Sequence, residues 1–277
     1  MLRLPMHPRY LRLMVEAGRR GCVRAGALCA ALVSGRDLLQ RLKRDDAHIA
    51  EARELFEASQ ESDFFTLMRA YQFARNSRFS VESCRRHGIH AQVARQVEQT
   101  FDQLVDIARR QKLLGPDDGP GETRPPSDDA LQRCLLAGFV DQLCKRRDTG
   151  TLDCDLTEGR SGTLVRESVV QNSPLFVAAS IREVPGRSSD NLTLLGLATA
   201  TKREWIEEMF PDQVTSTIEH LFDRTHKRVA AVRLVRFHDL VIPRAHPRQV
   251  EVDASARSLP GAFLKGRLQP TFVNHRL

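Results

Sequence analysis

The sequence places cysteine and histidine side chains close together at one point. Cys84, His87 and His90 lie three residues apart in "CRRHGIH", and thiolate and imidazole are ligands that zinc prefers in proteins. Gly88 interrupts the helical pattern between the two histidines, and no second ligand pair lies at zinc spacing. We therefore expect an ordinary polar turn here, with His90 at the start of the next helix.

A second stretch has the residue types of a magnesium site. "RDDAH" (44–48) imitates an acidic box whose carboxylates hold Mg²⁺ at nucleotide phosphates. Such a box ends a buried apolar strand, whereas this one follows the charged, helical "LQRLK". No G-x-x-x-x-G-K-[ST] phosphate loop occurs, and the dipeptide Gly-Lys is absent from the sequence. The stretch is interpreted as a coincidence, and a nucleotide-hydrolysing site within this chain is not expected.

Positive charge is concentrated near one end of the chain. The net charge is +7, and residues 1–50 hold ten Lys or Arg against four Asp or Glu, a balance of +6. Such a concentration suits a polyanion, most simply nucleic acid, although a solvated basic face without a partner remains the alternative. Aromatic residues make up 6% of the chain, so stacking platforms for tight sequence-specific binding of a single strand are scarce.

Three basic clusters are candidates for nucleic-acid contact. One at 227–236 comprises Lys227, Arg228, Arg233 and Arg236. The cations of the other two are predicted to contact phosphates rather than to read bases, and they are Arg19, Arg20, Arg24, Lys145, Arg146 and Arg147. Cations at a helix end also favour the helix dipole, which is a structural alternative for the first of these two.

The elements that carry these clusters change type along the chain. Apolar residues recur at helical spacing up to about residue 112, including "SDFFTLMRAYQFARN" (62–76) and residues 90–111. A Gly-, Pro- and Asp-rich linker follows, then a predicted helix over 129–147 that ends in "KRRD". After Gly150 the pattern becomes strand-like, with a short helix over 202–210 between the strands. We expect an α+β protein: a helical bundle followed by a small antiparallel, OB-like barrel or sheet with an interposed helix.

Six cysteines, none in a C-x-x-C pair, lie mostly within apolar helical patterns, as buried thiols do in a reducing compartment. No apolar run approaches the ~20 residues that a membrane span needs, and the N-terminal residues do not form a secretory signal. A cytoplasmic protein without membrane contact is predicted.

The opening stretch, "LPMHPRYLRLMVEAGRRGCVRAGALCAALVSGRDLL" (4–39), resembles the start of the helical ratchet domain of DEAH-box RNA helicases. "DFFTLMRAYQFARN" and "SVESCRRHGIHAQVARQV" resemble the later ratchet helices, and "CLLAGFVDQLCKRRDTGT" is similar to the helix before the C-terminal β domain of the bacterial HrpB-like branch. The resemblance covers residues 3–245. The matching positions of the opening are Leu4, Pro5, Pro8, Arg9, Met14, Gly21, Cys22, Ala30, Ala31, Ser34, Arg36 and Asp37.

The resemblance implies a division of the chain. Residues 1–113 would be a ratchet-like domain whose first twenty residues are a remnant of the winged-helix junction, and 114–128 a linker. Residues 129–250 would be a connecting helix with the OB-like domain, and 251–277 a truncated extension. The first helix would then have its packing partner upstream of this sequence.

The resemblance also implies a function without catalysis by this chain. Single-stranded RNA would be one partner, and the missing RecA-like motor domains, from the same gene or a separate chain, the other. ATP and Mg²⁺ would belong to those motor domains, with no cofactor in this chain. The leading interpretation is an accessory, fragment-like portion of an ATP-dependent RNA helicase. Its alternatives are a free-standing RNA-binding or adaptor protein derived from one, and a hydrolase or transferase whose site has no recognisable spacing.

Overall fold

The computed structural model describes residues 7–42, 45–57, 59–115, 128–148, 150–185, 191–223 and 228–243. Most of the predicted linker and all of the predicted 251–277 extension lie outside these residues. The helices of the described part are α1 (Pro8–Arg19), α2 (Val23–Ser34), α3 (Ala47–Arg53), α4 (Asp63–Asn76), α5 (Val81–Arg86), α6 (Ala91–Arg110), α7 (Asp128–Phe139) and α8 (Arg203–Met209). The strands are β1 (Leu143–Arg146), β2 (Asp153–Leu156), β3 (Ser161–Leu164), β4 (Leu175–Pro185), β5 (Asn191–Ala200), β6 (Val214–Asp223), β7 (Arg228–Phe237) and β8 (Leu240–Ile242).

The first helix finds its packing partner downstream, which corrects the expectation of an upstream one. The apolar face of α1, with Leu13 and Ala17 fully buried, packs against α7 and α2. Glycine makes both contacts close: a Cβ on Gly138 of α7 would lie 3.0 Å from the Leu13 Cβ, and one on Gly26 of α2 would lie 2.9 Å from the Ala17 Cβ. A larger residue at either glycine would push α1 off the bundle.

The predicted helix over 129–147 is wrong in its second half. α7 ends at Phe139, a 3-10 turn follows (Val140–Gln142), and Leu143–Arg146 is the first strand of the barrel. Leu143 pairs with Val177 of β4, and Cys144 pairs with Leu156 of β2. Because these partners are distant in sequence, the helical periodicity before residue 140 could not signal the switch.

The barrel consists of five strands and closes on itself in the order β1-β2-β3-β5-β4. All neighbours are antiparallel except β3 and β5, whose parallel pairing joins Thr163 to Leu194. Its interior is filled by a compact apolar cluster that includes Phe176, Leu195 and Ala198, each fully buried. A closed barrel leaves no unpaired strand edge, so it is a stable platform for side chains on its outer face.

The strands after α8 form a separate antiparallel sheet in the order β6-β7-β8 rather than part of the barrel. The two sheets are tied together at their turns, because the Asp239 carboxylate accepts hydrogen bonds from the backbone N–H groups of Glu158 (2.9 Å) and Gly159 (2.8 Å). These bonds hold the pKa of Asp239 below its ordinary value. The α+β fold class is thus confirmed, with the interposed helix dividing the barrel from a second sheet.

Hydrogen bonds at the N-terminus of α4 join the helical part to the barrel. The Asp63 carboxylate accepts bonds from the Ser168 hydroxyl (3.0 Å), the Val169 N–H (2.9 Å) and the Ala198 N–H (2.7 Å). One residue earlier, the hydroxyls of Ser62 and Thr199 lie 2.7 Å apart in a buried contact. Bundle and barrel therefore share a polar junction as well as an apolar core.

A second tie between the two parts is exposed and should depend on pH. The Arg182 side chain on β4 donates to both carboxylate oxygens of Asp37, at 2.6 and 3.2 Å, and this holds the pKa of Asp37 below its ordinary value of 3.8. Because the pKa of Asp37 is lower in the folded state, the stabilisation that the ion pair with Arg182 provides is present above the unfolded-state pKa of Asp37. It is lost as pH falls through the folded-state pKa. We expect Asp37→Asn to lower Tm slightly at pH 7, and the difference to shrink toward about pH 3 and in high salt. Thermal unfolding at both pH values checks this, and a difference that is equally large at low pH would contradict it.

Candidate nucleic-acid interface

Arg19 and Arg20, at the end of α1, share one carboxylate. Arg20 Nε lies 2.7 Å from Glu16 Oε1, and Arg19 Nη1 lies 3.3 Å from Glu16 Oε2. Arg20 is largely covered, with 24% of its side chain exposed, whereas Arg19 is 74% exposed. Of these two predicted phosphate contacts, Arg19 has the guanidinium that an incoming strand can reach.

Arg24, near the start of α2, faces α6 rather than Glu16. Its guanidinium carbon is 5.3 Å from the centroid of the Phe101 ring on α6, a cation–π contact that uses one face of the guanidinium. The side chain is half-buried. Burial raises the pKa of the nearby Glu98 carboxyl, and the positive charge of Arg24 offsets only part of this rise. The predicted cluster is therefore divided between two surfaces.

The second predicted cluster belongs to a strand, so its side chains alternate. Lys145 is half-buried and stands directly opposite Asp155 of β2, and Arg147 Nε lies 2.7 Å from the same carboxylate. Asp153 is exposed on the same strand. Two cations thus face two carboxylates, and this part of the barrel surface has no net positive charge to attract phosphate.

Arg146 faces the other way, into the barrel wall, and 7% of it is exposed. Its guanidinium donates to the carbonyl oxygens of Thr151 (2.5 Å), Val170 (3.0 Å) and Ser173 (3.2 Å). It also lies 5.8 Å from the centroid of the Phe176 ring. Its donors are thus engaged by the fold, and we expect a structural role rather than the predicted phosphate contact.

The cluster at 227–236 is only partly described. Lys227 lies outside the described residues. Arg233 is exposed, while Arg236 donates to Glu219 Oε1 (2.6 Å) and to the Thr217 hydroxyl (2.8 Å) across β6 and β7. One of its described cations is therefore already paired with a carboxylate.

The stretch with zinc-like residue types takes up other roles. Cys84 is fully buried, and the ring of His87 packs 4.2 Å from that of Phe73 while its Nδ1 lies 3.0 Å from the Ser83 carbonyl oxygen. His90 is exposed and immediately precedes α6, where the sequence placed it. In the part of the chain that the structure describes, no group of three or more His, Cys, Asp or Glu could hold a metal ion.

Sequence reasoning missed a group of arginines around α5. Between residues 64 and 97 the chain has six arginines and a single carboxylate, Glu82. Five of them lie on α5, on the neighbouring ends of α4 and α6, or in the turn between α4 and α5. We call them the α5 arginine surface: Arg75, Arg78, Arg85, Arg86 and Arg95. These arginines are visible in the sequence, but they are spread over three helices and one turn and are mostly not adjacent. A search for consecutive basic residues therefore does not find them.

All six cysteines are buried and free of disulfides. The sulfurs of Cys22 and Cys134 lie 3.5 Å apart, which is a contact rather than a covalent bond. Burial raises the pKa of Cys154 to about 11, so its thiol is protonated and unreactive at neutral pH. Over the described residues, no helix has the length and apolar character that crossing a membrane requires.

Comparison with known proteins gives a distant relative. No protein-family model matches the chain. The chain is similar to the ATP-dependent RNA helicase HrpA of Escherichia coli (strain K12), at 22% identity over 250 residues. The aligned region covers 87% of this chain but 18% of HrpA, so the chain spans less than a fifth of that relative. The predicted place in the HrpB-like branch stays a prediction. What these findings support is a distant relationship of this chain to a helicase.

Proposed function

We propose that this chain is a nucleic-acid-binding, accessory portion of a DEAH-box RNA helicase, and that single-stranded RNA is its ligand. The observation that carries the proposal is the similarity to HrpA, because at 87% of the chain it takes in both the helical bundle and the barrel. A short match confined to one helix would not link the two parts to one function. The ratchet-like interpretation of the bundle and the division of the chain at 114–128 belong to the same proposal.

The barrel supports the proposal by its topology. Its order β1-β2-β3-β5-β4, with one parallel pair, suits the OB-like barrel that the sequence predicts. Such barrels bind oligonucleotides on the face of strands 2 and 3 and on the adjoining loops. Here that face carries Asp153 and Asp155, so we expect the barrel to guide a strand while cations elsewhere supply most of the phosphate contact.

In this proposal the chemistry of ATP lies with RecA-like motor domains, in the same gene product or a separate chain. The printed sequence has no phosphate loop for an ATP-bound Mg²⁺ ion, and we assign no cofactor to this chain. Its own residues would bind the strand, and the hydrogen-bonded junction at Asp63 would transmit motion between bundle and barrel. We place the protein in the cytoplasm, where free thiols remain reduced.

A second candidate function is a free-standing RNA-binding or adaptor protein, and one observation favours it. This alternative requires the first helix to pack without an upstream domain. The α1 helix does so, since its apolar face is buried on α7 and α2 and its Arg9 and Arg12 bind Asp141, with Arg9 Nε at 2.9 Å and Arg12 Nη2 at 2.8 Å. The same strand-binding surface would then serve without a motor.

Both functions predict that the chain binds single-stranded RNA without strong sequence preference. We expect fluorescence anisotropy with a labelled oligonucleotide of about 16 nucleotides to give saturable binding that weakens as salt rises. A mixed-sequence RNA and a pyrimidine-only RNA should bind within a few-fold of one another, because phosphates rather than bases are contacted. No binding at low salt would contradict the proposal. Binding that is insensitive to salt would contradict its electrostatic basis.

A further inference from the structure

The α5 arginine surface is built from three elements that meet at one tight turn. After α4 ends, Arg78 (φ 51°) and Phe79 (φ 56°) adopt left-handed backbone, which non-glycine residues rarely do. The turn is held by a 2.7 Å bond from the Phe79 N–H to the Ala74 carbonyl oxygen. From α6, Arg95 Nη2 reaches back and donates to the Phe79 carbonyl oxygen at 3.1 Å. The strained turn thus fixes cations from different elements in one place.

The charge on this surface is not balanced by its own carboxylates. Arg86 pairs with Glu82, and Arg75 Nε lies 3.3 Å from Glu98 Oε1. Among the described residues, no carboxylate lies within ion-pair distance of Arg78, Arg85 or Arg95. Five arginines against two glutamates leave a charge of +3. The hydrogen-bond acceptor of Arg95 is a neutral carbonyl oxygen, so this bond does not offset the positive charge of the exposed guanidinium.

The spacing suits a flexible polyanion. Arg78 lies in the turn before α5 and Arg85 lies near the end of this helix, whose six residues span about 9 Å at 1.5 Å per residue. Both side chains are exposed. Single cations at such intervals can each take one phosphate of a strand that bends to follow them. By contrast, Arg147 on the barrel is paired with the carboxylate of Asp155, and Lys145 stands opposite the same residue in the strand register.

We infer that the α5 arginine surface is the principal phosphate-contacting surface of this chain, with Arg78, Arg85 and Arg95 as its free cations and the backbone of single-stranded RNA as its ligand. This inference rests on the proposed function and names the residues that would carry it. An acidic protein segment is the competing occupant. The surface offers such a segment little apolar area, since the half-buried Phe79 packs against the core and Val81 is the one large apolar side chain of this turn that is strongly exposed.

The test compares two triple variants of the whole chain that lose the same charge. The first is Arg78→Gln, Arg85→Gln and Arg95→Gln. The control is Arg109→Gln, Arg182→Gln and Arg203→Gln, three arginines that each lie within 4 Å of a carboxylate. RNA affinity is measured by anisotropy over a salt series, with circular dichroism to verify that both variants are folded. Because removal of Arg95 could loosen the turn, the double variant Arg78→Gln and Arg85→Gln is measured alongside.

If three phosphate contacts are lost, the slope of log K against log salt should flatten by about two units in the first variant, since each contact contributes about 0.7 for a single strand. The double variant should flatten by about 1.4 units, and the control by less than half a unit. Equal slopes in the first variant and the unsubstituted chain would overturn this inference alone. An equal loss of RNA affinity and of salt slope in both triple variants would also overturn it, because the lower net charge, rather than this surface, would then explain the loss.

Two further outcomes separate this inference from the proposed function. An unsubstituted chain that binds no RNA would contradict the proposed function and this surface with it. The second outcome concerns competition by polyglutamate, added at the same concentration of charges as the RNA. If polyglutamate displaces RNA from the unsubstituted chain but not from the first variant, the surface binds an acidic protein segment instead. That result would overturn its assignment to RNA.

Discussion

Replacing Asp63 by Asn should lower the free energy of unfolding by about 2–4 kcal/mol, although the change removes a buried charge. Asp63 Oδ2 accepts from the Ala198 N–H, and Oδ1 accepts from both Ser168 and Val169. An amide in the same place has one accepting oxygen, and its NH₂ group, which cannot accept, must face a backbone or side-chain donor. A protonated carboxyl differs from the amide here, because its hydroxyl oxygen can still accept a hydrogen bond. Urea unfolding at neutral pH measures the loss, and Asp102→Asn on the exposed side of α6 is the matched control.

The deficit of the Asn variant should also depend on pH. Burial raises the pKa of Asp63 above its ordinary value of 3.8, and this outweighs the three donors, which act to lower it. The stabilisation associated with the protonated form is therefore complete below the unfolded-state pKa and is lost as pH rises through the raised folded-state pKa. Since Asn does not titrate, the variant's deficit relative to the unsubstituted chain should be larger near pH 4 than at pH 7. A deficit that grows toward pH 7 would contradict this assignment.

Replacing Arg146 by Ala should destabilise the barrel by about 3 kcal/mol or more. The change removes donors to the carbonyls of Thr151, Val170 and Ser173, leaving buried acceptors without partners, and it opens a void beside Phe176. Arg146→Lys should recover only part of the loss, because an ammonium cannot reproduce the planar fork of a guanidinium.

The neighbouring Arg147 supplies the control. It is 48% exposed and paired with Asp155, so Arg147→Ala should cost less than about 1 kcal/mol. Urea unfolding followed by Trp205 fluorescence suits the comparison, since Trp205 is the chain's single tryptophan and is buried in the main core. Equal stability of the two alanine variants would contradict the structural role of Arg146. Replacing residues 145–147 together would therefore weaken RNA binding through loss of stability as well as through lost RNA contacts, and the two effects could not be told apart.

Much of the bundle is predictable because its signals are local. The pattern over 62–76 predicts α4 to within a residue, with Ser62 as its cap, and the pattern over 90–111 predicts α6. In both, an apolar stripe at helical spacing and a polar start lie within the segment itself. The pairing of Arg20 with Glu16 was likewise accessible, because a carboxylate four residues before an arginine on a helix lies within its reach.

The barrel is less predictable because its signals are not local. The segment "LCKR" (143–146) forms a strand because it pairs with Val177 of β4 and Leu156 of β2. A short sequence window around residue 145 contains neither partner, so local patterns cannot distinguish a continued helix from a new strand. The pairing also turns Arg146 inward. The packing of α1 on α7 depends on Gly138, more than a hundred residues later, and the sequence gives no sign of it. Non-local pairing thus explains most differences between prediction and structure.

The most direct test of the account is a map of where RNA touches the unsubstituted chain. Photo-crosslinking to a single-stranded RNA containing 4-thiouridine, followed by mass spectrometry of the peptides, gives this map. We expect crosslinks within residues 69–97, with weaker ones in the barrel, and their loss in high salt. Crosslinks confined to other parts of the chain would contradict the α5 arginine surface, and the absence of any salt-sensitive crosslink would contradict nucleic-acid binding itself.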